Sequence, residues 1–229
     1  MSDIISIKVV LVGNTGVGKT SIISRFINDS FTPNHLSTLT TAYYSKTLSF
    51  DNEKKTIKYN IWDTAGQEKY RSMNKINYRN ALVAILVYDI TDKNSFEDIK
   101  NYWYSEVKNN IDKDALIAIV ANKNDLYLED KVSIKELSEY AQSIKAIYKQ
   151  TNCMNNIGIN ELFEEIGKYI ITHDLSDKVI MEKKSTKESL KLSESYISDN
   201  NSEISNQNDS FITKTNMANK SYKKKKNCC

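Results

Sequence analysis

Eight consecutive residues near the start of the chain, GNTGVGKT at positions 13–20, have the composition and spacing of a loop that binds phosphate. They fit the pattern G-x-x-x-x-G-K-[ST] and lie between an apolar run and an amphipathic run. A glycine-rich turn exposes consecutive backbone N–H groups, and the following helix adds the positive end of its dipole. Lys19 supplies a cation for the β- and γ-phosphates of a nucleotide, and the Thr20 hydroxyl is a hard oxygen ligand suited to Mg²⁺. The predicted nucleotide-binding residues of this segment are Gly13, Asn14, Thr15, Gly16, Val17, Gly18, Lys19, Thr20 and Ser21.

The distribution of glycine supports this interpretation. The chain contains only six glycines, and three of them lie within positions 13–18. Because glycine permits tight turns and close approach of the backbone to a ligand, the clustering favours a functional loop over a chance match. The loop does not by itself choose a nucleotide, since kinases and ATPases use the same pattern.

The segment NKND at positions 122–125 indicates which base the nucleotide carries. It directly follows a buried apolar run, at the carboxyl end of a predicted strand, where ligands bind in open α/β sheets. The carboxylate of Asp125 can accept hydrogen bonds from both the ring N–H and the exocyclic amine of guanine. Adenine presents an acceptor in place of the first donor and would leave the carboxylate unpaired. With the phosphate loop upstream in the same sheet, Asn122, Lys123 and Asp125 predict a guanine site.

A third segment, WDTAGQE at positions 62–68, contains residues suited to act on a terminal phosphate. Asp63 is predicted to hold Mg²⁺ through a water molecule. Gly66 allows its N–H to approach the γ-phosphate, and Gln67 can orient an attacking water. The same letters alone would also suit a plain turn. Together with the phosphate loop, they predict hydrolysis of a nucleoside triphosphate, with Gln67 and Lys19 as catalytic residues.

The elements that must position these segments alternate between strand and helix. Near-continuous apolar runs predict strands buried on both faces, and two runs around Asp51 and Asn52 predict a hairpin. Apolar residues at helical spacing predict helices, one of them capped by Asn94 or Asp92. Such alternation produces a mainly parallel sheet covered on both faces, with one antiparallel strand from the hairpin. The predicted strands are 4–12, 42–50, 55–62, 81–89, 115–121 and a short one near 146–151, and the predicted helices are 19–28, 95–108, 133–146 and 161–172.

Charge and composition divide the chain into two parts. Residues 176–229 contain 11 lysines against 7 acidic residues, whereas residues 1–175 are balanced at 21 basic and 22 acidic residues. The balanced body gives no electrostatic case for nucleic-acid binding. The second part is rich in Ser, Asn, Lys and Glu without a sustained period, so we expect a folded domain over 1–175 and a disordered tail over 176–229. Three cysteines and the absence of a long apolar run exclude a disulfide scaffold and a spanning membrane protein.

In the order and spacing of its motifs, the sequence resembles the Ras superfamily of small GTPases and, within it, the Rab family. The resemblance covers about residues 5–172 and includes GNTGVGKT, Thr38, WDTAGQE and NKND. The stretch STLTTAYYSKTL at 37–48 most nearly resembles the endocytic branch of that family. The other Rab-like segments are YNIWD at 59–63, KYRSMN at 69–74, NYRNA at 77–81 and LVYDIT at 86–91.

The resemblance implies a three-layer P-loop GTPase fold, with a six-stranded, mainly parallel sheet and helices on both faces. It implies a monomeric switch that hydrolyses GTP to GDP, slowly without an activating protein, and regulates vesicle traffic by recruiting effectors in the GTP state. Thr38 stands where the family's switch threonine binds Mg²⁺ and the γ-phosphate, which adds it to the catalytic residues. Phe31 stands where an aromatic ring lies against the guanine.

The resemblance also implies two further base contacts and a set of protein partners. Cys153 stands where a backbone N–H reaches the guanine carbonyl, and Met154 stands where the family usually has a lysine whose stem covers the base. Effectors are expected at Tyr43, Trp62 and Tyr78, although the same three aromatic residues would equally suit packing in the hairpin or the core. The other implied partners are an exchange factor, a GTPase-activating protein, an escort protein and a GDP-dissociation inhibitor.

Two departures from the family pattern keep a second function open. Thr15 fills a position of the phosphate loop where small residues favour hydrolysis, and Asn152-Cys153-Met154 replaces the usual Ser-Ala-Lys. These departures suggest a nucleotide-dependent binding module with negligible intrinsic hydrolysis. A P-loop kinase or ATPase is a third alternative, and it would need selectivity for adenine.

The last seven residues, KKKKNCC, have the composition of a membrane anchor. Paired terminal cysteines resemble the Rab site for double geranylgeranylation, and stable anchoring generally takes two signals. Prenyl chains and four lysines at an anionic leaflet satisfy that condition, whereas nuclear localisation would leave the cysteines unexplained. We expect a protein on the cytoplasmic face of an endomembrane that cycles with the cytosol, with an endosome as the suggested organelle. The anchoring residues are Lys223, Lys224, Lys225, Lys226, Cys228 and Cys229.

Overall fold

The predicted sheet is present, with the predicted mixture of parallel and antiparallel strands. A computed structural model describes residues 3–33, 38, 41–64, 77–173 and 175. Within these residues one sheet of six strands has the order β2-β3-β1-β4-β5-β6. Only the pair β2 and β3 is antiparallel, as expected for a hairpin, and every other pair is parallel. The strands are β1 (Asp3–Val12), β2 (Ala42–Phe50), β3 (Lys55–Asp63), β4 (Val83–Asp89), β5 (Leu116–Asn122) and β6 (Ile147–Gln150).

Two of the helices begin at a capping side chain, Asp92 or Ser133. Asp92 accepts a hydrogen bond from the backbone N–H of Asn94, so Asp92 is the cap and Asn94 lies inside the helix. Ser133 likewise accepts from the backbone N–H of Glu136. The helices are α1 (Lys19–Asn28), α2 (Lys93–Asp98), α3 (Tyr104–Lys108), α4 (Ile134–Ser143) and α5 (Ile159–Thr172), with short 3-10 turns at Asp51–Glu53 and Asn124–Glu129.

The helix predicted over 95–108 contains a feature that its apolar spacing does not reveal. Between α2 and α3 the chain continues without a break through a π-helical turn at Ile99–Trp103. Such turns are frequently found at functional sites. Here the turn ends at the fully buried Trp103, and α3 follows it directly. The indole of Trp103 faces the phosphate loop, as described below.

Hydrophobic side chains cover both faces of the sheet. On one face Phe26 of α1 stacks on Phe163 of α5, and both contact the ring of Tyr59 edge-on. On the opposite face Phe96, Trp103 and alternate residues of β4 and β5 form a second buried cluster. The central strands β4 and β5 are buried at every position, which explains their uninterrupted apolar sequences. Each face therefore has its own helical layer, as the three-layer prediction requires.

The described part of the chain has no helix long and apolar enough to cross a membrane. The predicted tail over 176–229 lies outside the described residues, and its separation from the domain stays a prediction.

Candidate functional site

The predicted phosphate loop connects β1 to α1 at the carboxyl edge of the sheet. Gly13 has φ 142°, and a Cβ atom there would lie 2.2 Å from the carbonyl oxygen of Val87. Gly18 has φ 96° and caps the N-terminus of α1, and a Cβ there would lie 2.2 Å from Nδ2 of Asn122. No other residue fits these two positions, because both the backbone conformation and the space exclude a side chain.

Lys19 is the first residue of α1 and is almost completely buried, at 6% exposure. Its Nζ donates hydrogen bonds to the carbonyl oxygens of Gly13 and Asn14, each at 2.8 Å, so the ammonium lies inside the curve of the loop. Burial lowers the pKa of Lys19 to about 8, and the nearby carboxylate of Asp63 partly opposes that shift. An ammonium held in this way offers its charge to an anion that enters the loop.

The three predicted magnesium ligands lie together beside the loop. Thr20 Oγ1 is 2.7 Å from Asp63 Oδ2 and 2.8 Å from Thr38 Oγ1, and Thr38 Oγ1 is 3.5 Å from the same carboxylate oxygen. Three separate segments bring these atoms together: the start of α1, the residues before β2 and the end of β3. One carboxylate and two hydroxyls are hard oxygen donors of the kind that Mg²⁺ prefers. The residues present therefore fit the predicted ion.

Asn14 was predicted to bind nucleotide, but its side chain points to the neighbouring helix instead. Its Nδ2 donates to Oδ2 of Asp98 at 2.6 Å, and its Oδ1 accepts from the indole N–H of Trp103 at 2.8 Å. Both partners lie in the α2 segment and its π-helical turn. Only the backbone of Asn14 faces the loop interior, where its carbonyl accepts from Lys19. The side chain therefore fixes the loop and leaves phosphate contact to the backbone.

The predicted guanine residues follow β5 at the same edge of the sheet. Asn122 is buried and connects three loops, because its Nδ2 donates to the carbonyl of Val17 and its Oδ1 accepts from Thr151. Lys123 has φ 65°, and its Nζ lies 2.6 Å from the carboxylate of Asp89. Asp125 is half-buried in the 3-10 turn that follows. Asn122 thus has a bracing role, and base recognition by Asp125 stays a prediction.

The loop after β6 brings Cys153 to the same place. Its side chain is buried and its Sγ donates to Oδ1 of Asn122 at 3.4 Å. Burial raises the pKa of the Cys153 thiol to about 11, so the sulfur stays neutral and packs as a small apolar group. Met154 is 55% exposed at the surface of this loop. Sequence reasoning missed Arg25, which donates to the backbone carbonyls of both residues; no motif marks that position.

The three aromatic residues predicted to contact effectors differ in their exposure. Tyr43 is 55% exposed and contacts the half-buried Trp62 edge-on, with the ring centroids 5.0 Å apart. The ammonium of Lys8 lies 4.6 Å from the centre of the Trp62 ring. Tyr78, in contrast, is completely buried in the core cluster, which fits core packing, and its contact with effectors stays a prediction. Its neighbour Asn77 reaches the surface instead, where it donates to Thr41 Oγ1.

The remaining predicted site residues lie in several surroundings. Thr15 and Gly16 are exposed at the tip of the loop, Val17 is buried beneath it, and Ser21 lies one residue after Thr20 in α1. Phe31 is half-buried after α1, 5.8 Å from the guanidinium carbon of Arg25. Gly66, Gln67, Cys228, Cys229 and the lysines at 223–226 lie outside the described residues.

A mainly parallel sheet of this order, with a buried lysine where the loop after its first strand enters a helix, defines the class of phosphate-loop nucleotide-binding proteins. The Ras family model matches residues 8–172. Human Ras-related protein Rab-22A is 43% identical over 168 residues, which cover 73% of this chain and 85% of the relative. Bovine Ras-related protein Rab-21 is 42% identical over 166 residues, which cover 72% of this chain and 73% of the relative.

The chain therefore belongs to the Ras family, as one of its Rab GTPases. It is a small GTPase that hydrolyses GTP and regulates vesicle trafficking, as the motifs and their resemblance predicted. Membership of this family excludes the alternative that the chain is a P-loop kinase or ATPase. No observation on the described residues favours the alternative of a binding module without hydrolysis.

Proposed function

We propose that the site at the carboxyl edge of the sheet holds the nucleotide phosphates and Mg²⁺ through the residues that the motifs predicted. The backbone of the loop at 13–18 and the ammonium of Lys19 bind the phosphates. Thr20, Thr38 and Asp63 hold Mg²⁺, which supplies positive charge where negative charge develops on the phosphates. One observation carries the proposal. The hydroxyls of Thr20 and Thr38 both lie close to one carboxylate oxygen of Asp63, beside the buried lysine.

The base lies, in this proposal, between the loops that follow β5 and β6. Asp125 accepts from the ring N–H and the exocyclic amine of guanine, and the backbone N–H of Cys153 donates to the guanine carbonyl. Lys123 and the exposed Met154 flank the base, and Phe31 lies at its edge. The bonds of Asn122 to Val17 and Thr151 support this arrangement, since they tie the two base loops to the phosphate loop.

Hydrolysis rests on Gln67, which we assign to orienting the attacking water, with the N–H of Gly66 at the γ-phosphate. Catalysis is then mainly positioning and electrostatic stabilisation, because Lys19 and the backbone amides hold the charge that develops. We assign no arginine among the described switch residues to the stabilisation of this charge. A GTPase-activating protein is therefore expected to supply an arginine or to align the site. Release of the γ-phosphate would free Thr38 and the segment around Gln67, which is the switch.

Replacement of Gln67 with leucine tests this assignment. We expect the rate of GTP hydrolysis stimulated by an activating protein to fall at least about a hundredfold, because leucine cannot orient water. Single-turnover hydrolysis of bound GTP, with and without the activating protein, measures it. Gln142→Leu, an equivalent change at an exposed position of α4, is the matched control. Undiminished stimulated turnover in Gln67→Leu would refute the role.

Recruitment of effectors is assigned to the surface formed by Tyr43 and Trp62. The exposed ring of Tyr43, which also donates to Asn60 Oδ1, presents an aromatic surface at the antiparallel edge of the sheet. Tyr43 and Trp62 lie directly opposite each other in the β2–β3 register, next to the end of β3 that carries Asp63. Asp63, a predicted magnesium ligand, is thus the residue next to Trp62 of this surface.

The anchoring of the protein to an endomembrane, with an endosome as the suggested organelle, is assigned to the tail. Prenyl chains on Cys228 and Cys229 and the four lysines at 223–226 supply the two signals, and the escort and GDP-dissociation-inhibitor proteins would handle the prenylated chain.

Loss of both terminal cysteines is expected to release the protein from membranes. In cells, the doubly substituted Cys228→Ser, Cys229→Ser chain should move from the membrane fraction to the soluble fraction, because each buried prenyl methylene contributes about 0.8 kcal/mol. Fractionation of tagged protein measures the distribution. Asn227→Ser retains both terminal cysteines and should stay on membranes. Equal membrane content in the wild type and both variants would exclude a terminal lipid anchor.

A further inference from the structure

Arg25, in the last turn of α1, makes an unusual number of contacts for a side chain that no motif includes. Its Nε donates to the carbonyl oxygen of Cys153 at 2.6 Å, and one terminal nitrogen donates to the carbonyl oxygen of Met154 at 2.9 Å. The other terminal nitrogen donates to the backbone carbonyl of Asp29 at 2.9 Å and to its carboxylate at 3.3 Å. The planar guanidinium thus joins the end of α1 to two consecutive carbonyls of the loop after β6.

Asp29 completes the connection from the other side. Its carboxylate also accepts from Nδ2 of Asn156, at 2.8 Å, so it connects Arg25 to the end of the same loop. Asp29 has φ 51° and Asn156 has φ 53°, which are left-handed conformations that glycine adopts at lower cost. Asp29 and Asn156 are hydrogen-bonded to each other, and glycine at either position would adopt the backbone conformation at a lower cost in folding free energy. This combination indicates a role for the carboxylate beyond capping α1.

Arg25 also faces the segment that leads from α1. The centre of its guanidinium lies 5.8 Å from the centre of the Phe31 ring, within the range of a cation–π interaction. A single side chain therefore contacts both the loop that carries Cys153 and the aromatic residue expected at the edge of the base.

We propose that Arg25, oriented by Asp29, is a positioning residue that holds the loop of Cys153 and Met154 in place for the guanine base, and thereby slows nucleotide release. This inference rests on the proposed role of that loop in base binding. Its physical basis is that the bonded carbonyls of Cys153 and Met154 fix the two peptide planes that directly follow the Cys153 N–H. Because the chain is held on that side, rotation of the plane that carries the Cys153 N–H is restricted. Phosphate contacts, made by the loop at 13–20, are outside its reach.

The test compares release of tritiated GDP from the full-length chain and its variants in an excess of unlabelled GDP. Arg25→Ala is expected to release GDP about tenfold faster, because two hydrogen bonds from a charged donor are lost. Asp29→Gly is expected to release it about threefold faster while its melting temperature stays equal or rises, since glycine relieves the left-handed backbone. The second variant keeps the test decisive if Arg25→Ala does not fold.

A matched control and a modified base separate positioning from general support of the fold. Lys54 also follows a helical turn in a left-handed conformation, with φ 52°. Lys54→Gly removes the same backbone strain there and should leave the rate of GDP release unchanged. The second readout is 6-thio-GDP, which replaces the guanine carbonyl oxygen by a weaker acceptor. The ratio of the affinity for 6-thio-GDP to the affinity for GDP should approach one in Arg25→Ala, because the contact to the guanine carbonyl oxygen is already weakened in that variant.

Four results would overturn the inference, and the last of them would also overturn the proposed base site. Unchanged GDP release from Arg25→Ala would do so directly. Faster release with an unaltered ratio of GDP to 6-thio-GDP affinity would place the loss on the phosphate side. Equal acceleration by Asp29→Gly and Lys54→Gly would assign the effect to backbone relief. A wild-type chain that binds no GDP would overturn the proposed base site itself, and the inference with it, and is recognised before any variant is compared.

Discussion

Substitution of Asp125 by asparagine is expected to change the preferred base from guanine to xanthine. Xanthine carries a carbonyl where guanine carries its exocyclic amine, and the asparagine amide can donate to that carbonyl. We expect the affinity for GDP to fall about a thousandfold, because two hydrogen bonds to a carboxylate are replaced by one bond and one repulsive contact. The affinity for XDP should rise correspondingly. Equilibrium competition of both nucleotides with labelled GDP or XDP measures the two changes.

A variant that removes the same charge nearby separates base reading from electrostatics. Glu129→Gln lies at the end of the same 3-10 turn, is exposed and should keep the preference for guanine. If Asp125→Asn bound GDP as tightly as the wild type, the assignment of the base to the loop after β5 would be wrong. A fall in GDP affinity without a gain for XDP would show that Asp125 supports the loop and does not read the base.

Replacement of Lys19 with methionine should remove nucleotide binding while sparing the fold. We expect the affinity for GDP to fall at least about a hundredfold, because the buried ammonium is the cation that the phosphates meet. The nucleotide-free protein should unfold at an equal or higher temperature, since a buried charge is exchanged for an apolar chain of similar length. Titration calorimetry with GDP and a thermal melt of nucleotide-free protein give the two values.

The matched control removes one positive charge elsewhere on the domain. Lys168→Met changes an exposed lysine of α5 and should leave both GDP affinity and the melting temperature close to those of the wild type. Tight GDP binding by Lys19→Met would contradict the assignment of the phosphates to this loop. A marked loss of stability without nucleotide would show instead that Lys19 is chiefly a structural residue of the loop.

The sequence predicted the fold well because its local signals agree with one another. The apolar runs of β4 and β5 are interrupted by no polar residue before their carboxyl ends, and α1 has the bounds that its periodicity predicts. The caps at Asp92 and Ser133 mark their helices within a residue or two. The phosphate loop was predictable for the same reason, since a motif of fixed spacing encodes it.

The rest depended on contacts between residues far apart in the chain. Arg25 contacts Cys153 and Met154 across more than 120 positions, and no periodicity records that proximity. The bond from Trp103 to Asn14 likewise becomes visible only when the π-helical turn is placed against the loop. The burial of Tyr78 was not predictable either, because an aromatic residue in a family motif suits either a surface contact or the core. Burial decides between those roles, and it is a property of the folded chain.

The two tryptophans lie in different surroundings, Trp103 fully buried and Trp62 half-buried, and we expect them to give the protein two distinct optical signals. Trp103 is sealed from solvent with its indole N–H bonded to Asn14, so its emission should be blue-shifted and should respond to the conformation of the phosphate loop. Trp62 is half-exposed beside Tyr43 and Lys8, where solvent and neighbouring charge shift its emission to longer wavelengths. Nucleotide exchange and partner docking can therefore be followed at separate wavelengths in the unlabelled chain.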